Sequence, residues 1–493
     1  MKKEKGVSAV DFFCIGFGAI VGVGWAVSIN SWMNSSGGPL PAAAGYMVAM
    51  ILMVPIALCY CELCTMLPVS GGGMAYAFRA FGDRIAFISG WAAFGAFITI
   101  IPWEAIYVVD ILSIVFPILK SGIPLYTLAG ADIYIGHTIL GTAISILLYM
   151  INRKGVASSA TLQKVLCMAL VGAGILAMIC AAMKFNVHNL EPFYENIGVG
   201  SHHSFLGGMA SILASVPFFL AGFETIPQGI ESAGGDTKGV GKTVVITVVL
   251  SCLFYALLLF TLGGALPWKE FIQFSNPSAA RMFRTLYPGS VGNILYVTIL
   301  IGAICGLLTT WNGFMMASSQ IMMAMARVSI VPFSLSRQHP VYKTPVNALK
   351  VSLVASLMGP FLGSGLIGAL TSFSAAGYVA SWMITAFLPD HSQKERAGIE
   401  ETVSDSGWAS YGMVRGNLHD RFIYSAVYTG TAGVYGRRGD SHIRSMDASW
   451  RRIISEGLQS EKRIFYTYQS SIFVCEYVRI EFNNHNAGLC RQF

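Results

Sequence analysis

Across 493 residues, 54% are hydrophobic and only 12% charged, and the mean hydropathy of +0.60 excludes an ordinary soluble chain, in which about a quarter of the residues are charged. The net charge of +7 does not mark a nucleic-acid binder, because the basic residues sit in short segments between apolar runs instead of forming one patch. The ten cysteines are scattered, with Cys14, Cys59, Cys167 and Cys252 inside apolar runs, which suits packing and argues against a disulfide framework.

The chain opens Met1, Lys2, Lys3, Glu4, Lys5 and enters its first apolar run without a small-residue cleavage site, so that run is expected to stay as the first membrane span. Spans long enough for a bilayer are predicted at 11–34, 41–66, 86–117, 135–152, 160–183, 205–231, 242–266, 292–326, 347–363 and 365–388. With the N-terminus placed in the cytoplasm, Arg79, Arg84, Arg153, Lys154, Lys164, Lys238, Lys242, Arg327, Arg337, Lys343 and Lys350 fall inside. Only Lys120, Lys184, Lys269, Arg281 and Arg284 fall outside. That asymmetry is what the positive-inside rule expects of a multi-pass protein with a cytoplasmic N-terminus; the chain is read as lying in the lipid bilayer of the plasma (inner) membrane.

Two spans carry helix breakers in mid-membrane. Span one has Gly18, Gly22 and Gly24; span six has Gly222 between Pro217 and Pro227. Glycine costs about 1 kcal/mol and proline about 3 kcal/mol in a helix interior, and unwound backbone at membrane depth is tolerated where it lines a cavity. Close packing through small residues would explain Gly18 and Gly22 alone. The matching break five spans later instead predicts an all-α integral membrane protein with a five-plus-five inverted repeat, 11–183 and 205–388, and broken helices one and six. Backbone amides at Gly22, Val23 and Gly24 would then face a substrate carboxylate, and the carbonyls of Ala221 and Gly222 would accept from an α-ammonium. Ile20 and Phe223 flank these groups and complete the predicted substrate contacts, together with Trp25, Phe218, Glu104 and Glu224.

Acids within spans are candidate functional groups. Glu224 lies in the span-six break and is the first candidate for coupling or gating, with a stabilising role in the unwound segment as the alternative. Glu104 of span three faces either the cavity or a packing partner. Asp11 and Glu62 suit capping or ion pairing. Trp25 and Phe218 are candidate aromatic gates. Thr309, Thr310, Ser318 and Ser319 of span eight are the hydroxyls from which a sodium site could be completed with span-one carbonyls; no other metal set is predicted. Gly18–Gly24 lacks the strand of a dinucleotide fingerprint, and GDTKGVGKT at 235–243 has Asp236 where a phosphate-binding loop requires its first glycine. No nucleophile, base or metal cluster appears at one depth, so neither an enzyme nor a cofactor is expected.

Tyr60, Glu62 and Leu63, followed by Pro68, Ser70, Gly71, Gly72 and Tyr76, resemble the YxEL…PxSGGxxxY signature of the amino acid, polyamine and organocation transporter superfamily. Asn152, Gly155, Val156, Ser159 and Gln163 are similar to its NxxGVxxSAxxQ junction. Gly222, Phe223 and Glu224 are similar to its GFE segment. Ala324 to Arg327 with Pro332, His339, Pro340, Tyr342, Thr344 and Pro345 resemble its AMARDGxxP…HPxYxTP end of span eight. The resemblance spans roughly residues 10–388 and implies an amino acid or amine permease working by alternating access, as an exchanger or a proton symporter. In related arginine/agmatine exchangers the acid matching Glu224 links binding to gating. A lysine found in mid-span five of some proton-driven relatives is Leu170 here, and Trp25 stands where many relatives carry isoleucine. A polyamine transporter, an inactive truncated permease and a channel stay open as alternatives, as does a homodimer.

From about residue 389 the character changes: 25 of the last 105 residues are charged, against 32 of the first 388. Relatives continue there with a basic LKRPYRxPGG segment and two more spans. Codons for 399–416 can be chosen that, read one nucleotide later, give LKRPYRIPGGLAMGWFA, and 389–394 likewise permits LIILRK. The tail 389–493 is therefore expected to be a frameshift product replacing spans eleven and twelve, with a genuine soluble domain as the alternative.

Overall fold

The computed structural model describes residues 6–197 and 204–395, with side chains to residue 388. The predicted tail thus lies outside the described residues, except that the tenth span continues as helix to Glu395. The spans are Ala9–Val21 with Gly24–Val27 and Ile29–Ser36; Pro39–Met66; Asp83–Val115; Ile135–Arg153; Val156–Ala182; Phe205–Phe219 with Thr225–Gln228; Thr237–Ala265; Ser290–Arg327; Val346–Leu362; and Ile367–Glu395. Among the described residues eight helices are long and apolar enough to cross a membrane, and Phe205–Phe219 and Val346–Leu362 are apolar but shorter. The predicted boundaries agree to within a few residues. One departure from the all-α expectation is a two-stranded hairpin, Tyr126–Leu128 with Ala131–Ile133, between spans three and four. Positive φ at Ala129 (48°) and Gly130 (79°) makes the tight turn that hairpins favour.

Helix starts follow local chemistry. Ser8 and Asp11 form a capping box at span one, with Asp11 N–H donating to the Ser8 hydroxyl (3.3 Å) and Ser8 N–H to the Asp11 carboxylate (3.1 Å). Asp236, the residue that spoiled the phosphate-loop pattern, accepts from Gly239 N–H (2.9 Å) and caps span seven.

The spans pack in a pattern that repeats itself. Span two lies on seven and four on nine; three lies on ten as eight lies on five; one lies on seven as six lies on two; one lies on five as six lies on ten. Exchanging each span for the one five places along leaves these neighbours unchanged. Because each half has five crossings, the second enters from the opposite side, so the repeat is inverted. Span one is the most enclosed of the long helices, 83% buried against 33% for span five, as expected of a helix surrounded by the others.

Candidate substrate site

The two breaks meet at the centre of the bundle. Gly22 takes φ +46° and ends the first half of span one; Gly222 takes φ +134° in the turn Leu220–Glu224. A side chain at Gly222 would strike the Ala19 carbonyl carbon and Ile20 nitrogen at 2.7 Å, so only glycine lets the span-six break pack backbone to backbone on the last turn before the span-one break. Span eight closes on the same point, where a Cβ on Gly306 would lie 2.0 Å from the Gly22 carbonyl oxygen.

A narrow cavity lies beside this crossing. Ile20, Gly22, Val23 and Gly24 line it from span one, Phe218 and Ala221 from span six, and Glu104 from span three. Val23 and Gly24 open the second half-helix, so their N–H groups have no acceptor one turn earlier on it. The Ala221 carbonyl accepts no hydrogen bond among the described residues. The Gly222 carbonyl, in contrast, already accepts from Thr225 N–H (3.0 Å) and the Thr225 hydroxyl (2.6 Å), which withdraws it from the predicted ammonium contact.

Other predicted residues point elsewhere. Trp25 is fully buried against Phe254 of span seven, ring centroids 6.4 Å apart, and does not line the cavity. Phe223 stacks on Trp382 (5.7 Å). Glu224 faces a second cavity with Tyr60, Phe97, Gln228 and Tyr378. Both of its oxygens are engaged, one by Gly222 N–H (2.8 Å) and one by the Trp382 indole N–H. Thr309 and Thr310 donate to the Gly18 carbonyl (3.0 and 3.3 Å), whereas Ser318 pairs with Ser352 (2.8 Å) and Ser319 bonds to Met316 O (2.7 Å). The four hydroxyls therefore do not converge. They lie two turns apart on span eight, and the second pair is used within and beside its own helix.

The structure adds cavity residues that the sequence reading missed, chiefly Trp103, Phe219, Tyr255 and Phe314, and places Thr310, read from the sequence as a sodium-site candidate, in the same cavity. Tyr255 donates to the carbonyls of Ile20 (3.1 Å) and Val21 (2.7 Å), satisfying the end of the first half-helix. Its signal was present: Thr243, Thr247, Ser251 and Tyr255 recur every fourth residue along an apolar span, marking an inward face.

The signature motifs prove to be clamps around the site. Ser70 N–H donates to Glu231 (2.9 Å) and Gly71 N–H to Gln228 (3.1 Å), so the loop after span two grips the C-terminal end of span six. Arg327, ending span eight, donates to both Glu231 oxygens (2.6 and 3.3 Å). Asn152, Ser159 and Gln163 converge on Asn312 of span eight (2.8, 2.9 and 2.8 Å), and the Gln163 amide reaches Thr309 O (3.0 Å). On the same face Lys164 pairs with Asp11 (2.5 Å), fastening span one to span five.

Two interrupted helices crossing at a central cavity inside an inverted repeat are the architecture of a membrane transporter. The amino acid permease family model matches residues 7–389, and the chain belongs to this family, within the amino acid, polyamine and organocation superfamily. The match ends where the charged tail begins. The chain is 26% identical to the branched-chain amino acid permease BcaP of Bacillus subtilis over 71% of this chain and 72% of that one. It is 22% identical to the methylthioribose transporter of Bacillus subtilis over 74% and 77%. It is 26% identical to cationic amino acid transporter 9, chloroplastic, of Arabidopsis thaliana over 67% and 56%. A solved substrate-bound outward-open Na+-coupled sialic acid symporter aligns with TM-score 0.49 and 13% identity, covering 76% of this chain and 74% of that one.

Proposed function

We propose that this chain moves amino acids or related amines across the plasma membrane by alternating access, through exchange or proton symport. The observation that carries the reading is the cavity shared by both breaks. Among the described residues its N–H groups at Val23 and Gly24 and its carbonyl at Ala221 have no hydrogen-bond partner, which leaves one set for a carboxylate and one for an ammonium. In this reading Ile20, Gly22 and Phe218 shape the pocket, Phe218 gates it, and Glu224 holds the span-six break in its unwound form.

The inward face is shut by Glu231–Arg327 and Asp11–Lys164, each joining a broken span to an unbroken one. Opening it requires spans one and six to leave spans five and eight, which is the motion alternating access needs. Relatives named for branched-chain amino acids, methylthioribose and cationic amino acids share the fold, so fold alone leaves the solute open, with polyamines as the second reading. The test is counterflow of labelled amino acids and polyamines into liposomes holding the purified chain and preloaded with the unlabelled pool. Saturable accumulation is expected. Exchange needs the internal pool, whereas symport responds to an imposed pH gradient; flux that never saturates would refute a carrier.

A further inference from the structure

Glu104 is 3% exposed and lines the central cavity, yet its Oε2 has no hydrogen-bond partner. No ion pair among the described residues involves it. Asp11, Asp110 and Glu231 are each paired with a lysine or arginine, and both oxygens of Glu224 are engaged. Glu104 is held in place by its neighbour: the Trp103 indole N–H donates to Thr371 of span ten (3.0 Å), which fixes this turn of span three. The walls around it are aromatic, with Phe218, Tyr255 and Phe314 lining the same cavity.

A carboxylate removed from water with one oxygen unpaired is costly, and a bound cation relieves it. The free N–H groups at Val23 and Gly24 and the Ala221 carbonyl already answer the two backbone charges of an amino acid. Glu104 is then left for a third charge, a positive one, among ring faces that also favour cations. We infer that the cavity takes substrates with an ammonium or guanidinium side chain and that Glu104 is the specificity-determining residue that pairs with it. This rests on the transport reading above and names its substrate class.

The test is competition in the counterflow assay between lysine, arginine or ornithine and the neutral norleucine and leucine, on the wild-type chain and on Glu104→Gln and Glu104→Asp. Cationic solutes are expected to compete at concentrations at least tenfold lower than neutral ones. E104Q is expected to lose that preference tenfold or more while still taking neutral solutes, with E104D between. Preference for neutral solutes in the wild-type chain overturns the inference and leaves the transport reading standing. Equal weakening of both classes by E104Q assigns Glu104 to the α-ammonium instead. Unchanged affinity with a lost response to a pH gradient assigns it to proton carriage. Thermal shift of the purified chain by lysine against norleucine reads the preference without transport or a folded variant; a shift by neither overturns the inference, and the pooled counterflow assay decides the transport reading separately.

Discussion

Replacing Gly306 by alanine tests whether spans one and eight touch as closely as described. The added Cβ would lie 2.0 Å from the Gly22 carbonyl oxygen and 2.6 Å from its carbon, where ordinary contact begins near 3.4 Å. Both obstacles are backbone, so no side chain can turn aside, and the spans must separate by about 1.4 Å. That would stretch the Thr309 and Thr310 bonds to Gly18, now 3.0 and 3.3 Å, beyond hydrogen-bonding range. Overpacking costs about 1–3 kcal/mol and the two hydrogen bonds roughly 1 kcal/mol each, so a loss of about 3–5 kcal/mol is expected, with the break displaced and substrate binding lost. Gly172→Ala is the control, since a Cβ there meets nothing within 4 Å; it should be neutral or gain up to about 1 kcal/mol in helix propensity. Thermal unfolding of both variants in one detergent at one scan rate, with substrate binding, makes the measurement. Equal melting temperatures would refute the close crossing.

Arg327→Ala should raise thiol labelling of Cys14 from the inward face; with both partners over a third exposed, the bidentate pair is worth at most about 1 kcal/mol, roughly fivefold in the open population. Arg327→Lys should restore only part, because a lysine cannot bridge both oxygens. Cys14 of span one and Cys167 of span five each stand three residues beyond the Asp11–Lys164 pair that joins these spans, so oxidative cross-linking between them is expected to stop transport and reduction to restore it; full transport by verified cross-linked protein would show that these spans need not part. Asn312→Leu should destabilise by roughly 1–3 kcal/mol for each orphaned partner among Asn152, Ser159 and Gln163, read as faster thermal inactivation. For the tail, sequencing of the gene should find codons over 389–416 that encode LIILRK and LKRPYRIPGG one nucleotide later; synonymous codons incompatible with that reading would remove the frameshift proposal.

The ten spans were legible because apolar runs of membrane length bounded by loop charges admit few other readings. The breaks were legible because glycine and proline at mid-membrane depth conflict with helix propensity. What could not be read is which face of a broken helix meets the cavity. Unwinding at Gly22 and Leu220–Glu224 resets the helical phase, so Trp25 turns to Phe254 and Glu224 to a second cavity, although both sit within a few residues of the site. The role of Asn312 was equally hidden. Its partners lie some 150 positions away in the chain, and a lone asparagine in a span carries no periodic signal. The motif residues were recognised as a pattern, but their work, holding the ends of spans six and eight, needs the fold to be seen.

The groups proposed to shut the inward face stand at the edge of water. Lys164, Arg327 and Glu231 are already about a third to a half exposed, and the Ser70 and Gly71 amides belong to a loop. Were spans one and six to swing away, as the proposed alternating access requires, each of these groups could trade a protein partner for a solvent molecule almost evenly. A latch of this kind resists casual opening through its geometry and number of contacts, yet releases without stranding a charge in hydrocarbon. In the proposed cycle the same contacts could then open and close repeatedly at little net cost.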